Sequence, residues 1–555
     1  MDTLRDLTFG LSNIIWGWPD VIPFLVVVLL GTGCITTFYL GWIQVRKFRH
    51  GVNVIRGWYD NPNDEGDINH FQALTTALSA TVGIGNIAGV ATAIHYGGPG
   101  ALFWMWVTAV FGMALKYAEC TLSMRYRVIH DDGSASGGPM YYIERGLGRS
   151  WKPMAIFFAI CAVISSFGSG NAVQAFTMAD QLRADLGIRT WIIGLVNVTI
   201  IGMVILGGIK RIGRVTSKLA PFMAVLYVAG GLFVLLMHAD RIPGLLGLIV
   251  TSAFKPAAQV GGFAGGAFIF MLTWGVKRGL FSNESGQGSA PIAHAAAKTK
   301  EPVREGVVAM LGPFIDTLVI CSITGLVILS TGVWKEQRFD RVPFGPQAGL
   351  TVIRSEATVG PNGIVADEDR AEGEYSCWAG RVEGCRIVRN HCVVGSPLIV
   401  NDERVEFTGT LPVEEGNVDF GKLPALWLEG EMMQNGSPLT AWAFQRGLSP
   451  LGNWGHLLVT FAVFLFGIST AISWSYYGDR SIVYLAGHAW VIPYKIVFLV
   501  MHFFGAIFTL EIVWGFGDCA LGLMAFPNLI AIIFLLPKIR DLTRDYFSRK
   551  HKRYR

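Results

Sequence analysis

Two stretches of this chain combine residue types suited to binding ions and small polar solutes. The first, LSATVGIGNIAGV (78–90), packs Ser, Thr, Asn and Gly into an otherwise apolar run. The second, GVKRGLFSNESGQGSAP (275–291), follows a Gly-rich apolar run that ends at Trp274. Neither reads as a regular membrane-crossing helix, which needs roughly 20 apolar residues. Unwinding a helix inside a bilayer frees N–H groups on one half and C=O groups on the other. The N–H groups suit a carboxylate, and the carbonyls suit an ammonium or Na⁺. Gly85 and Gly89 also fit a GxxxG packing face, but interruptions at matching places in two halves point to a solute site between inverted repeats.

Other polar groups at membrane depth add to the set. Asn171 and Gln174, in GSGNAVQAF (168–176), are three apart on one helical face and would either face a cavity or bond between helices. Lys116 and Glu119 are spaced i, i+3, which favours a mutual pair over a proton relay. Asp316, in GPFIDTLVICS, has no basic residue near it in its span. It could carry H⁺, tune a cation site or pair with another helix. Lys277, Arg278 and Glu284 follow the second interruption and would form gate ion pairs or snorkel to the interface.

The elements that must position these groups follow from composition. The 555 residues are 52% hydrophobic and 15% charged, with a mean hydropathy of +0.45; soluble domains carry roughly 25% charge. This excludes an ordinary soluble enzyme, a disordered chain and a coiled coil. Eleven spans are expected, at 20–44, 71–96, 99–124, 152–180, 190–209, 215–238, 258–290, 305–333, 451–477, 489–510 and 512–536. Basic residues cluster in alternate loops (Arg46 and Lys47, Arg125 and Arg127, Lys210 and Arg211, Lys298 and Lys300, Arg480) and in the tail after Lys538, which makes these cytoplasmic. The N-terminus is then outside. The opening residues show no basic segment followed by a cleavage site, so no cleaved signal is expected.

The net charge of +5 averages two unlike parts. Lys335 to Ser437 holds 10 basic and 17 acidic residues, a net −7 that leaves +12 on the other 452. The basic excess lies in short interhelical loops, so nucleic acid is a poor partner. Runs at 350–354, 385–394 and 397–407 are strand-like, giving a small β-rich extracytoplasmic insert at 335–437. Its role is either ligand capture or decoration, and its partner is unknown. Cys377, Cys385 and Cys392 could supply one disulfide. The remaining organisation is an extra span and loop (1–70), a five-helix unit (71–238), a second one (258–334 with 438–537) and a basic tail (538–555).

LTTALSATVGIGNIAGVATAI, GGPGALFWMW, GMALKYAE, GGPMYYIERGLG, WGVKRGLFSNESGQGSAPIA and STAISWSYYGDR resemble the alanine or glycine:cation symporter family, and the likeness covers nearly every span in order. It departs at the insert, where that family usually has a short connection. The resemblance implies an all-α membrane protein of about eleven helices in two inverted five-helix repeats with broken first helices, as in the bacterial leucine transporter fold. It also implies Na⁺-coupled, sometimes H⁺-coupled, uptake of alanine or glycine at a prokaryotic plasma membrane, with no cofactor and no enzymatic activity. Carried over residue by residue, carbonyls of Ser79, Val82 and Phe466 with hydroxyls of Ser469 and Thr470 would hold Na⁺. The two hydroxyls could instead bond back to their own helix. Thr81, Gly83, Gly85 and Asn86 would line the first break and Thr273, Trp274 and Gly275 the second, with Asn171, Gln174 and Thr470 completing the pocket and Trp474 capping it. A membrane enzyme would need a His/Asp/Glu cluster at one face, which the scattered histidines do not form; a channel or ligand sensor would not concentrate solute.

Overall fold

The computed structural model describes residues 14–16, 18–19, 23–61, 64–130, 133–254, 268–345, 350–357, 367–389, 392–508 and 510–554. Helix α1 (Phe24–Tyr39) packs on the bundle through Leu25, Val26 and Leu29. Helix α2 (His70–Thr81) starts at a capping box in which Asn69 Oδ1 accepts from the Gln72 amide and Gln72 Oε1 accepts from the Asn69 amide. It ends at Val82, and after a π-turn at Gly85–Gly89 the chain continues as α3 (Val90–Gly97), bent by 52°. Helix α4 (Gly100–Tyr126) follows, and a short hairpin, β1 (Val128–Ile129) with β2 (Ala135–Ser136), leads on.

The next helices are α5 (Lys152–Phe167), a π-turn at Gly168–Ala172, α6 (Val173–Leu186), α7 (Thr190–Ile205), α8 (Gly208–Met237) and α9 (Ile242–Ser252). Beyond them come α10 (Phe268–Asn283), α11 (Ala290–His294), α12 (Pro302–Ala309), a π-helical stretch at Phe314–Cys321 and α13 (Ser322–Thr331). After the strand region lie α14 (Gly436–Gly447), α15 (Gly455–Ala486), α16 (Val491–Ile507) and α17 (Leu510–Ser548).

Among the described residues, seven helical segments are long and apolar enough to cross a bilayer, and the bent α2–α3 pair makes eight. Helices α1 and α7 are apolar but shorter. The expected span 258–290 falls partly on 255–267, outside the described residues. Phe222, Val225 and Leu236 of α8 are 57%, 68% and 74% exposed, a pattern that water penalises and lipid does not.

Residues 337–433 form antiparallel strands: β3 (Gln337–Phe344), β4 (Leu350–Arg354), β5 (Gly373–Trp378), β6 (Arg381–Val382), β7 (Cys385–Arg389), β8 (Cys392–Val393), β9 (Gly395–Val400), β10 (Gly409–Glu414), β11 (Asn417–Val418) and β12 (Leu426–Met433). They pair as β3-β12-β9, β4-β7-β8 and β11-β10-β5-β6 over a separate apolar core that includes Val352, Ile387, Ile399, Leu411 and Leu428. All three cysteines here are free thiols, so the disulfide expected among them is absent from the structure. Burial pushes each thiol up to about 11. Strand β12 runs straight into α14, whose Thr440 Oγ1 donates to the Ile87 carbonyl of the first π-turn at 3.0 Å.

The bases of the two broken segments are stitched together. The amides of Asp67 and Ile68 donate to the Ala296 carbonyl, and the Lys298 amide donates to the Ile68 carbonyl. One guanidinium spans the seam: Arg127 donates to the carbonyls of Glu65, Ala295, Ala297 and Thr299 at 2.7–3.1 Å. Beneath it, buried Glu305 accepts from His70 and, at 2.5 Å, from His294.

Candidate functional site

The first break is held open by a side chain. Asn86 Oδ1 accepts the Gly83 amide at 2.8 Å, the N–H that a continuous helix would give to the Ser79 carbonyl. Its amide nitrogen reaches across to Ser282 Oγ at 3.2 Å and Asp316 Oδ1 at 2.7 Å. Ser282 and Thr317 hydroxyls donate to Asp316 Oδ2 at 2.6 and 2.7 Å. Asp316 is thus clamped by three neutral donors and ties α10, the first break and the π-helical stretch at Phe314–Cys321 into one knot. A π-turn at such a place often marks function.

The second break lies within the expected stretch 275–291, but it begins nine residues beyond Gly275, which was expected to line it. Helix α10 runs unbroken through Thr273, Trp274 and Gly275 to Asn283, and the chain then unwinds over Glu284–Ser289, with positive φ at Glu284, Gly286 and Gly288. Gly275 is a packing glycine: a Cβ there would lie 2.7 Å from the Ala101 carbonyl oxygen and 2.6 Å from Trp104 Cβ. Trp274 stacks on Tyr96, with ring centres 4.4 Å apart. Glu284 is the residue that the second break turns toward the first. Its backbone is left-handed (φ 54°), which is uncommon outside glycine. Its Oε1 accepts from Trp474 Nε1 at 2.9 Å, and Oε2 accepts from Ser289 Oγ at 2.5 Å.

Between the breaks lies a cavity lined by Thr81, Gly83, Gly85, Gln174, Thr470 and Trp474, six of the residues expected in the pocket, together with Glu284 and the unforeseen Ser169, Phe281 and Leu521. Its volume of about 10 Å³ holds roughly one water, so this form is closed. Two glycines are fixed by close approach. A Cβ on Gly83 would collide with Thr470 Oγ1, and one on Gly85 would sit 3.0 Å from the Phe281 ring. Gln174 donates to the Ser169 carbonyl at 2.9 Å, and its Oε1 is buried with no partner among the described residues.

Beside this cavity, Thr470 Oγ1 and Ser469 Oγ both donate to the Ser79 carbonyl, at 3.1 and 3.4 Å. Ser79 Oγ is buried and unpartnered among the described residues. Three oxygens of the expected cation set therefore converge at the end of α2. Val82 caps that helix, and Phe466 lies one turn before Thr470 on α15. Hard cations such as Na⁺ favour this chemistry of carbonyl and hydroxyl oxygen.

Other expected site residues lie elsewhere. Asn171 points away from the cavity, donating to the Phe498 carbonyl at 2.7 Å and pairing with His502 Nδ1 at 2.5 Å. Lys116 and Glu119 make no mutual ion pair within 4 Å; Glu119 Oε1 instead accepts from Asn528 at 2.9 Å, whose amide also bonds the Gly286 carbonyl of the second break. Lys277 and Arg278 do pair, with Asp518 of α17 at 2.7 and 3.4 Å. Asp518 stands alone among apolar neighbours in GFGDCALG, the same signal that drew attention to Asp316.

An apolar bundle with two interrupted helices facing one polar cavity defines a multi-pass membrane protein with a candidate solute site. The sequence matches the sodium:alanine symporter family over residues 1–357 and 425–555. The chain belongs to that family, which makes it a cation-coupled amino-acid transporter and not an enzyme. The match leaves out 358–424, all within the strand region. The chain is 37% identical over 537 residues to the sodium/alanine symporter AgcS of Methanococcus maripaludis, covering 96% of this chain and 95% of the relative. It is 35% identical over 548 residues to an uncharacterized transporter of Haemophilus influenzae, covering 99% and 97%. Among solved structures, MhsT in complex with L-phenylalanine matches with a TM-score of 0.48 at 10% identity, covering 87% of this chain and 99% of that one.

Proposed function

We propose that this protein is a sodium-coupled symporter that imports a small neutral amino acid, alanine or glycine, by alternating access. The observation that carries the reading is the convergence of the Ser469 and Thr470 hydroxyls on the Ser79 carbonyl beside a cavity walled by Trp474. Na⁺ at that point takes the place of two hydrogen bonds and ties the end of α2 to α15. With α2 so fixed and the Gly83 amide held by Asn86, the broken backbone at Ile84 and Gly85 offers its N–H groups to the substrate carboxylate, and Gln174 Oε1 is the acceptor for its ammonium. The Trp474 and Phe281 rings limit side-chain size. Asp316 serves as a clamp between the broken segments, and the Lys277/Arg278–Asp518 ion pairs close one end of the cavity, one turn from Phe281 and Leu521.

In this reading the chain has eleven spans, a single one followed by two inverted five-helix units at 71–238 and at 258–334 with 438–537. The N-terminus and the 335–437 insert lie outside, and the basic tail lies in the cytoplasm. Repeats so arranged rock about the fixed site and expose it to either side. The test is uptake of radiolabelled alanine and glycine into proteoliposomes, with and without an inward Na⁺ gradient. Accumulation above the external concentration that requires the gradient supports the reading. Absence of gradient-driven accumulation of both solutes overturns it. Replacing the Na⁺ gradient with a pH gradient separates Na⁺ from H⁺ coupling.

A further inference from the structure

Away from the transport cavity, a second and larger hollow opens at one end of the bundle. A cleft of about 690 Å³ is walled by His130, Tyr141, Arg145, Arg149, Tyr484 and His488, a volume typical of small-ligand sites. Its floor is aromatic: Tyr141 and Tyr484 meet edge to face at 5.2 Å, and the His130 and His488 rings at 4.8 Å. Arg145 and Arg149 are exposed on its rim. The one carboxylate in the described lining, Glu144, is already engaged, accepting from Tyr484 OH at 2.6 Å and lying 3.4 Å from Lys152 Nζ. Asp131 and Asp132 lie outside the described residues, so this balance is that of the described lining. Two guanidiniums and the His488 imidazole therefore face a hollow whose own carboxylate is spoken for, with the His130 ring beside them held by Ser136 Oγ at 2.9 Å. That chemistry recognises a phosphate.

The position of the cleft selects the kind of phosphate. Helices α5 and α16 begin beside it and α15 ends there, so it sits where three membrane helices meet the bilayer surface. Immediately inward, the outer faces of α5 and of the start of α16 become apolar and exposed: Phe157 and Ile160 on one, Ile492 and Ile496 on the other with Trp490 in the turn just before it, between 44% and 56% exposed. A free anion gains nothing from this apolar rim, whereas acyl chains attached to the phosphate cover it. We propose that the cleft is a binding site for an anionic phospholipid, with its headgroup phosphate between Arg145 and Arg149 and its chains along the exposed faces of α5 and α16. Basic pockets between membrane helices hold lipid headgroups in this manner.

The experiment is native mass spectrometry of the full chain released from nanodiscs containing phosphatidylglycerol and phosphatidylcholine, compared with an Arg145→Ala/Arg149→Ala variant. The wild type is expected to retain phosphatidylglycerol selectively, and the variant to lose at least tenfold of that retention while phosphatidylcholine is held equally by both. Millimolar inorganic phosphate is expected to displace nothing. Equal phosphatidylglycerol retention by the variant overturns the site, and displacement by inorganic phosphate overturns the lipid in favour of a soluble anion. A photoreactive phosphatidylglycerol analogue tests the wild type independently of any variant. Adducts are expected within residues 130–160 and 484–496, and labelling confined to other regions overturns the proposal.

Discussion

Trp474 and Glu284 meet across the closed cavity, the indole N–H donating to the carboxylate at 2.9 Å. One residue belongs to the long helix α15 and the other to the second break, so this hydrogen bond fixes the wall of the pocket to the element that interrupts the membrane. The ring has room to lie there only because residue 170 is glycine.

Releasing that ring should change selectivity. Trp474→Ala is expected to let valine and leucine compete with labelled alanine uptake at least tenfold better than they do in the wild type. Glu284→Ala should shift selectivity in the same direction, whereas Glu284→Gln, which keeps an acceptor for the indole N–H, should not. Unaltered competition profiles in all three variants would remove the wall from the account of specificity.

The cation set gives a separate expectation. A hydroxyl ligand comparable to one hydrogen bond contributes about 1 kcal/mol, so Thr470→Val or Ser469→Ala should raise the Na⁺ concentration for half-maximal uptake by roughly five- to tenfold. Alanine affinity at saturating Na⁺ should move less. Na⁺ activation curves in proteoliposomes decide it, and superimposable curves would refute the assignment.

Gly170 sets a steric limit. A Cβ there would lie 2.5 Å from Trp474 Cβ, and overpacking of this kind costs about 1–3 kcal/mol. Gly170→Ala should lower the thermal unfolding midpoint in detergent and abolish uptake. Gly312→Ala, where nothing lies within 4 Å of a new Cβ, is the neutral control.

One ion pair outside the membrane core carries a pH signature. Arg446 grips Glu336 with two bonds of 2.7 and 2.6 Å, and these hold the Glu336 carboxyl below the usual carboxylate range. Because the folded value is the lower one, the pair stabilises the fold above the unfolded carboxylate value of about 4.3 and loses that effect as pH falls through the folded value. Glu336 is 48% exposed, so screening limits the contribution to about 1 kcal/mol or less. Glu336→Gln should therefore be slightly less stable than wild type at pH 7 and indistinguishable at pH 3. A deficit that does not depend on pH would show that the charge is irrelevant.

How far the sequence could be read depended on how many physical roles a residue type can play. The first break was legible because Gly83, Gly85 and Asn86 occur together, and no packing role calls for that combination. Within the second stretch Gly275 reads as part of the break because it follows an apolar run as a helix-breaker would, while its actual task is to admit Ala101 and Trp104. The signal that places the break correctly is the pair Gly286 and Gly288, both needing positive φ. Asn171 and Gln174 share a helical face, yet only Gln174 lines the cavity. His502 satisfies Asn171, and a residue more than 300 positions away leaves no local trace. Asp518 is as conspicuous locally as Asp316, a lone acid in an apolar run, but its role comes from Lys277 and Arg278 on another helix. The strand region was visible through its charge and turn residues, but its three thiols carry no mark that separates a disulfide from buried free cysteines.

Arg127 gives the assembly a mechanical property that none of its neighbours supplies. A single planar group holds four carbonyls drawn from the segment before the first broken helix and the segment after the second break. Any swing that separated those segments would have to give up either the Glu65 bond or the other three, along with the backbone rungs beside them. The two interrupted helices are therefore yoked at the base, and neither can tilt there without carrying the other or giving up that seam.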